Sequence, residues 1–416
     1  MDIALIIIFV ILLVVFRALK VGDYFSPWTL TIGVWLAILV MFQFESGILY
    51  PLGPKFYTSL CLWVPIFTVS SLVTYYFLPG VARPATAIVS DFKCNMTIFD
   101  VLFYISLIIS PLYLWQILKI VTMFDTQDLL YNLRILSVSK TQQLGFLSYA
   151  SIINQSLFIV AVWKFPKIPL WKLLCIVMAS FMCAFAIMEK GGIFFMFLST
   201  IFVLFEKKVI KPRTIAIAGA VLIVLFYLMN AAREVQSDKN AESMTFVDFF
   251  AIYILSPAVA YEKVARDIST QIGSHTFETL YLFLARFGYQ VEVNDKLQEF
   301  VWVPLPTNVY TIFQPFYQDF GQRGVAFFAL VYGFFSGLSY RAFTNGSGFG
   351  KCIYSYIVYA LVLQFYQENI FLSIVAVIQF SFFTFIIAQD VFRAEFFVSN
   401  KEIADNNQSS STSSEQ

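Results

Sequence analysis

Ionisable side chains are scarce in this chain of 416 residues, so each one in an unusual setting can be asked what chemistry it could do. The stretch 232–323 gathers 7 of the 27 lysines and arginines, 11 of the 26 acids and the single histidine. Arg233, in Asn230-Ala-Ala-Arg-Glu234, closes an apolar run where lipid headgroups would lie. A guanidinium there can grip an anionic group with two parallel hydrogen bonds, or merely snorkel to lipid phosphate and pair with Glu234. Arg286 sits between Phe283 and Phe287 in an apolar segment, and a charge among aromatics needs a partner, either Glu278 or an anionic ligand. His275 is the one side chain with an ordinary pKa of about 6.5, which suits a general base. Its flank of Gly273, Ser274 and Thr276 fits a plain helix-start residue equally well. Lys190 and Arg134, in two shorter connections, are cations that could reach a phosphate or stand solvated in their loops. Glu368, with Gln364, Gln367 and Asn369, forms a polar helix end, whereas Asn154 and Gln155 fit hydrogen bonds between helices.

The elements that must hold these groups are written in the composition. Hydrophobic residues make up 59%, charged residues 13% and aromatics 19%, with 48 phenylalanines. A water-soluble chain of this size would carry about twice the charge, so the apolar surplus faces lipid. Apolar runs lie at 3–19, 27–44, 56–78, 98–122, 146–163, 170–188, 192–205, 214–231, 324–340, 352–368 and 370–389. They lack the alternation of a barrel strand and read as helices. The short 192–205 run needs its Glu206–Lys208 flank to snorkel outward. The first run is no cleaved signal: Asp2 stands where a basic segment would, and Arg17 and Lys20 follow the run instead. With the N-terminus outside, 15 lysines and arginines fall on the inner side and only Lys55, Arg134, Lys140 and Lys190 in short outer loops. The fold expected is an all-α polytopic membrane protein of about 11 transmembrane helices, N-out and C-in. Its divisions are helices over 1–231, a large outer loop over 232–323, helices over 324–389, and a polar tail over 390–416 that ends SSSTSSEQ.

Several function classes are excluded or weakened. A net charge of +1 offers no basic field for nucleic acid. Five scattered cysteines without a Cys-x-x-Cys pair, and one histidine, argue against a zinc site or a disulfide framework. Gly346–Lys351 (GSGFGK) lacks the first glycine of a phosphate loop, which is Asn345 here, and no strand precedes it. No cofactor is expected.

Within the large loop, Thr245–Val264 is apolar but interrupted by Pro257, and reads as a helix lying in the membrane interface or dipping into the membrane. Thr276–Phe287 has helical spacing and would pack above it. Then follow Pro306-Thr307-Asn308-Val309-Tyr310-Thr311 and Tyr317-Gln318-Asp319-Phe320-Gly321, leading into Gly324. These residues, and the plan of many helices with one dominant late outer loop, resemble the oligosaccharide repeat-unit polymerase family (O-antigen polymerase, Wzy). A departure is Glu189-Lys190-Gly191-Gly192, where relatives often place arginine; lysine keeps the charge without the bidentate fork. The resemblance implies a glycosyltransferase at the periplasmic face of the bacterial inner membrane. It would move a growing glycan from undecaprenyl pyrophosphate onto the next lipid-linked repeat unit, without a metal and with inversion. Partners would be the lipid-linked oligosaccharides, membrane lipid and a chain-length regulator.

On that reading Arg233, Arg286, Lys190 and Arg134 hold pyrophosphate, and His275 and Asp319 serve the catalytic step. Asn308, Tyr310, Gln314 and Tyr317 bind sugar through amide, phenol and ring. The plain alternatives are that Asp319 caps the following helix or pairs with Arg323, and that the tyrosines form an interfacial belt. Two other functions fit the composition: a flippase for lipid-linked oligosaccharide, and a ligase that passes finished glycan to a lipid core. A flippase should line a cavity with charge, and the runs here carry charge only near their ends, at Arg17, Asp100, Lys119, Lys172 and Glu368.

Overall fold

The computed structural model describes residues 2–44, 47–78, 92–122, 145–186, 190–211, 213–214, 217, 219, 251–267, 271–291, 293–294, 298–304 and 306–388. Its long helices are α1 (Asp2–Ala18), α2 (Pro27–Gln43), α3 (Pro54–Phe77), α4 (Met96–Val121), α5 (Ala150–Lys164), α6 (Leu170–Ala186) and α7 (Gly191–Glu206). Later come a short α8 (Ser256–Ala260), α9 (Glu278–Arg286), α10 (Gln314–Thr344), α11 (Gly348–Val362) and α12 (Ile374–Ala388). Among the described residues the only strands are two of two residues each, β1 (Val301–Trp302) and β2 (Pro306–Thr307), paired antiparallel. Five helical segments are long and apolar enough to cross a bilayer: 54–77, 96–121, 146–164, 314–344 and 348–365. The architecture is that of an all-α membrane protein. The run expected at 214–231 lies almost wholly outside the described residues.

Helix starts follow local chemistry. Pro27 and Pro54 occupy first turns, where a missing N–H costs nothing, and Asn95 and Ser347 accept from Ile98 N and Gly350 N. Contacts sort the helix ends into two sets. At one end Arg341 donates to Tyr75 O, Asn95 N to Ile387 O, Tyr354 to Phe25 O, and Lys207 to Val162 O and Phe165 O. The other end joins Asp2 to Tyr57 and Ile312 N to Gln364 O. The first end carries Arg17, Lys20, Lys164, Lys172, Lys207 and Lys351, the residues the charge rule assigns to the inner face.

Between the ends, helices approach closely because lipid tails supply no hydrophobic drive and packing must do the work. Gly333 and Gly337 form a Gly-x-x-x-Gly face on α10: a Cβ at either would lie 2.5 Å from Phe67 O and 2.4 Å from Ser71 O of α3. Asn154 donates to Ser110 and accepts from Ser106 between α5 and α4, the interhelical role expected of it. The fully buried indoles of Trp35 and Trp63 both donate to Gln364 Oε1, at 3.1 and 3.3 Å, beside Phe313 stacked on Trp35. Glu206 differs from expectation: it is buried, and Lys207 alone turns to carbonyls of α5 and the turn after it.

The described part of Thr245–Val264 also departs from an interfacial helix. It is a π-turn (Ala251–Leu255), α8, and a 3₁₀ turn (Tyr261–Lys263), and Leu255–Tyr261 is buried in protein. Pro257 begins the short α8 rather than interrupting a longer helix.

Candidate functional site

Helix α10 starts well before the apolar run it was expected to follow. Its first turns, Gln314–Phe320, belong to the loop motif, and Gly321 (φ +66°, ψ −156°) breaks the helical path before the membrane segment. Only glycine takes that backbone without strain. A Cβ on Gly324 would fall 2.3 Å from Phe316 O, so the second glycine lets the two pieces fold closely together. The Asp319-Phe320-Gly321 motif is therefore first a folding device, which sets a short helical cap on the outer end of α10.

Asp319 fastens this cap to the next segment. Its carboxylate accepts from His275 N at 3.1 Å and Thr276 N at 2.7 Å, and it forms no ion pair with Arg323. It caps a neighbouring turn, not its own helix. Asp267 N donates to Gln318 O at 3.0 Å, and Thr276 Oγ1 to Pro315 O at 3.4 Å. His275 is mostly enclosed, with its Nε2 2.9 Å from Asp267 Oδ2 and its Nδ1 3.3 Å from Asn294 Nδ2. The Asn294 amide donates to Nδ1, which assigns the ring proton to Nε2 and its hydrogen bond to Asp267. Half-exposed Asp267 thus orients the imidazole, and Nδ1 faces the weaker of its two partners.

On the other flank, Glu262 caps α3 by accepting from Lys55 N and Phe56 N at 3.3 and 3.1 Å. Lys55 Nζ donates to Val264 O at 2.6 Å and lies 4.9 Å from the Tyr317 ring centroid and 5.6 Å from that of Tyr261. Two residues beyond Val264, Arg266 lies along the glycine gap: its side chain would be 3.3 Å from a Cβ on Gly321. Gln322 bridges to Lys55 O and to Ser59, whose hydroxyl meets the Tyr261 phenol at 2.7 Å. Burial pushes the Tyr261 phenol far up, so it stays neutral. Arg266 and Arg323 are exposed and, among the described residues, have no carboxylate partner. The arrangement is a polar cap over a closed aromatic core. One flank holds an oriented imidazole, and the other a basic corner of Lys55 and Arg266.

The structure thus draws His275, Asp319, Gln314 and Tyr317 into one cap. Gln314 is buried and donates to Gln298 and Gln318 at 2.6 and 2.8 Å. Tyr310 is buried too, donates to Glu299 O at 2.8 Å, and has its pKa pushed up to about 12 by burial and then by Glu299. Asn308 is half-buried in the irregular stretch just after β2. Arg286 is exposed at the end of α9 and has no ion pair among the described residues. Glu278, two turns away and buried, does not pair with it. Lys190 Nζ lies 5.2 Å from the Tyr253 ring, at the head of α7. Arg233 and Arg134 lie outside the described residues. Glu368 is taken up by structure: it accepts from the backbone N–H of Ile370, Phe371 and Leu372 and from the Tyr332 hydroxyl.

Lys55, Arg266 and Asp267 are the additions. Lys55 carried one signal in the sequence, since a cation in the first turn of a helix opposes the helix dipole and needs a compensating partner. Glu262 is that partner.

Two curated proteins are similar to this chain. One, from Escherichia coli (strain K12), is described as "Putative O-antigen polymerase" and is 28% identical over 142 residues, which is 34% of this chain and 36% of that protein. The other, from Shigella dysenteriae, is described as "O-antigen polymerase" and is 30% identical over 182 residues, 36% of this chain and 46% of that protein. The matched regions thus span less than half of either relative. No family model and no solved structure matches the chain. The two similarities support an O-antigen polymerase family relationship.

Proposed function

We propose that this relative of the O-antigen polymerases is itself a polymerase of lipid-linked repeat units, working at the outer face of the bacterial inner membrane. Similarity to the two named polymerases carries the reading. The cap over α10 supports it by gathering an oriented imidazole, amides, aromatics and cations beside a helical membrane domain. The donor is a glycan on undecaprenyl pyrophosphate, and the acceptor is a sugar hydroxyl of the next lipid-linked unit. The acceptor oxygen attacks the anomeric carbon, its bond to the pyrophosphate oxygen breaks, and the configuration inverts. Undecaprenyl pyrophosphate leaves with the bonding electron pair.

In this scheme the acceptor hydroxyl displaces Asn294 and gives its proton to His275 Nδ1, while Asp267 steadies the imidazolium that forms. Asp319 acts as a positioning residue, because both its oxygens are engaged by the backbone of the His275 turn. Lys55 and Arg266 join Arg233, Arg286, Lys190 and Arg134 as the cations from which the pyrophosphate site is drawn. Asn308 and Tyr317 bind sugar, and Gln314 and Tyr310 hold the cap together. The divisions at 231, 323 and 389, the N-out/C-in topology, metal independence and a chain-length regulator as partner belong to the same proposal.

The test is genetic. A deletion strain should retain surface glycan only as a single repeat on the lipid core, and this chain should restore the ladder of lengths. Arg233→Ala and His275→Ala should behave like the deletion. A deletion that removes even the single-repeat form would point to a flippase or a ligase, and a full ladder from Arg233→Ala would remove that arginine from the site.

A further inference from the structure

At the basic end of the molecule, away from the cap, the surface holds an apolar groove of about 580 Å³ between α1 and α3. Val69, Leu72, Val73, Tyr76 and Phe77 form one face of α3 along it, and Phe16, Leu19 and Val21 form the opposite wall. Beside the groove α1 packs less fully than at its other end. Its buried residues, Leu5 and Phe9, lie in the half away from the groove, while Val14 and Val15 in the near half are exposed.

The foot of the groove is fixed by an unusual helix stop. Val21 N donates to Phe16 O and Lys20 N to Arg17 O, which is a Schellman cap. Its left-handed position, normally glycine, is Lys20 at φ +55°. That conformation is uncommon for a side-chain-bearing residue, so the lysine is held at this point at a cost in strain. Gly22 follows at φ +83°, and Trp28 Nε1 donates to Val21 O, so the turn is tied down. Arg17 lies 4.7 Å from the Tyr24 ring centroid. Arg17 and Lys20 are both exposed and, among the described residues, have no acidic partner. Two cations without an acidic partner thus sit in the same six-residue stretch that forms one wall of an apolar groove.

We propose that this groove binds one acyl chain of an anionic glycerophospholipid, with Arg17 and Lys20 holding its phosphate. Basic pockets between membrane helices on the cytoplasmic side are a recurrent site for such headgroups, and the groove's volume is within the range of ligand sites. Charge complementarity selects this occupant over a zwitterionic lipid. Position selects it over the lipid-linked substrate, which the proposed reaction places at the opposite face. That second selection rests on the proposed function and topology, whereas the groove and its two cations do not.

Native mass spectrometry of the full chain, released from vesicles of equal phosphatidylglycerol and phosphatidylcholine, tests it. The wild-type protein should retain one phosphatidylglycerol in preference to phosphatidylcholine. Arg17→Gln with Lys20→Gln should lower that preference about 30-fold. Val73→Trp, which fills the groove, should abolish retention of either lipid. Both changed sites are exposed, and an unchanged thermal midpoint of the double variant would show that folding is intact. Equal retention by wild type and the charge variant would overturn the proposal, as would full retention by Val73→Trp or a polyprenyl chain recovered in place of the phospholipid.

Discussion

Removing the Asp319 carboxylate should open the turn at His275 before it affects anything else. In Asp319→Ala two backbone donors, His275 N and Thr276 N, lose an anionic acceptor at 3.1 and 2.7 Å. Hydrogen bonds to a charged group contribute roughly 1.5–3 kcal/mol each. Asp319 is half-buried, so the lower figure applies, and the two together come to about 3 kcal/mol. Thr276 is fully buried, so its N–H has no water to turn to. A 3 kcal/mol loss corresponds to roughly a 150-fold rise in the open population of this turn. Hydrogen–deuterium exchange of a peptide covering residues 271–281 should show that rise, while peptides from α3 and the α10 membrane segment stay protected. Glycan ladders from the same variant should weaken as the turn opens. Exchange at Thr276 within about threefold of wild type would refute the bookkeeping. Loss of activity with a closed turn would show instead that the carboxylate itself takes part in chemistry.

Gly337→Leu should destabilise the protein by about 1–3 kcal/mol or more, read as a lower thermal midpoint in detergent, because a Cβ there already meets Ser71 O at 2.4 Å. Tyr310→Phe should cost about 1 kcal/mol and leave the ladder of glycan lengths unchanged, since the phenol is spent on Glu299 O; a shortened ladder would return Tyr310 to sugar binding. Asp23, in the turn between α1 and α2, has its pKa raised above 3.8, chiefly by burial and against hydrogen bonds from Tyr340, Phe25 and Ser26. The folded state therefore holds that proton more tightly than the unfolded one, and stability falls as pH climbs from 3.8 through the raised value. Thermal midpoints taken upward from pH 4 should fall further in wild type than in Asp23→Asn, and equal falls would refute the assignment.

Helix placement was largely legible, because lipid imposes the same demand on every span. The runs expected at 27–44, 98–122 and 146–163 begin and end within two residues of observed helical segments. Expectation failed where the chain leaves lipid and tertiary contacts decide. Leu255–Tyr261 lies in the apolar, Pro-interrupted segment expected at the membrane interface, yet it packs under α3 and the cap. The Asp-Phe-Gly motif was expected to bring a carboxylate to the catalytic step; that Asp319 and Gly321 also build the cap depends on partners that no local pattern shows. Lys55 was counted only as a loop charge, because its partners Glu262 and Val264 lie more than 200 residues further along the chain. No local pattern reports such a pairing. Gln364 and Glu368 stood out as polar groups at a helix end, and their partners, two indoles and three backbone amides, could not be read without the fold.

The glycine face of α10 has a further consequence. Gly333 meets Phe67 backbone to backbone, and from that point both helices rise toward the cap by equal arms. Twelve residues separate Phe67 from Lys55 and twelve separate Gly333 from Gly321, about 18 Å along each helix. The pair works as a ruler whose zero is the glycine contact, and it sets Lys55 and the Gly321 break at one height. Lengthening one arm by a single residue would shift its side of the basic corner by about 1.5 Å and turn it by about 100°. Lengthening both arms by a full turn would lift the corner intact. The height of the corner above the bilayer is thus counted out in residues by two helices that lie far apart in the sequence.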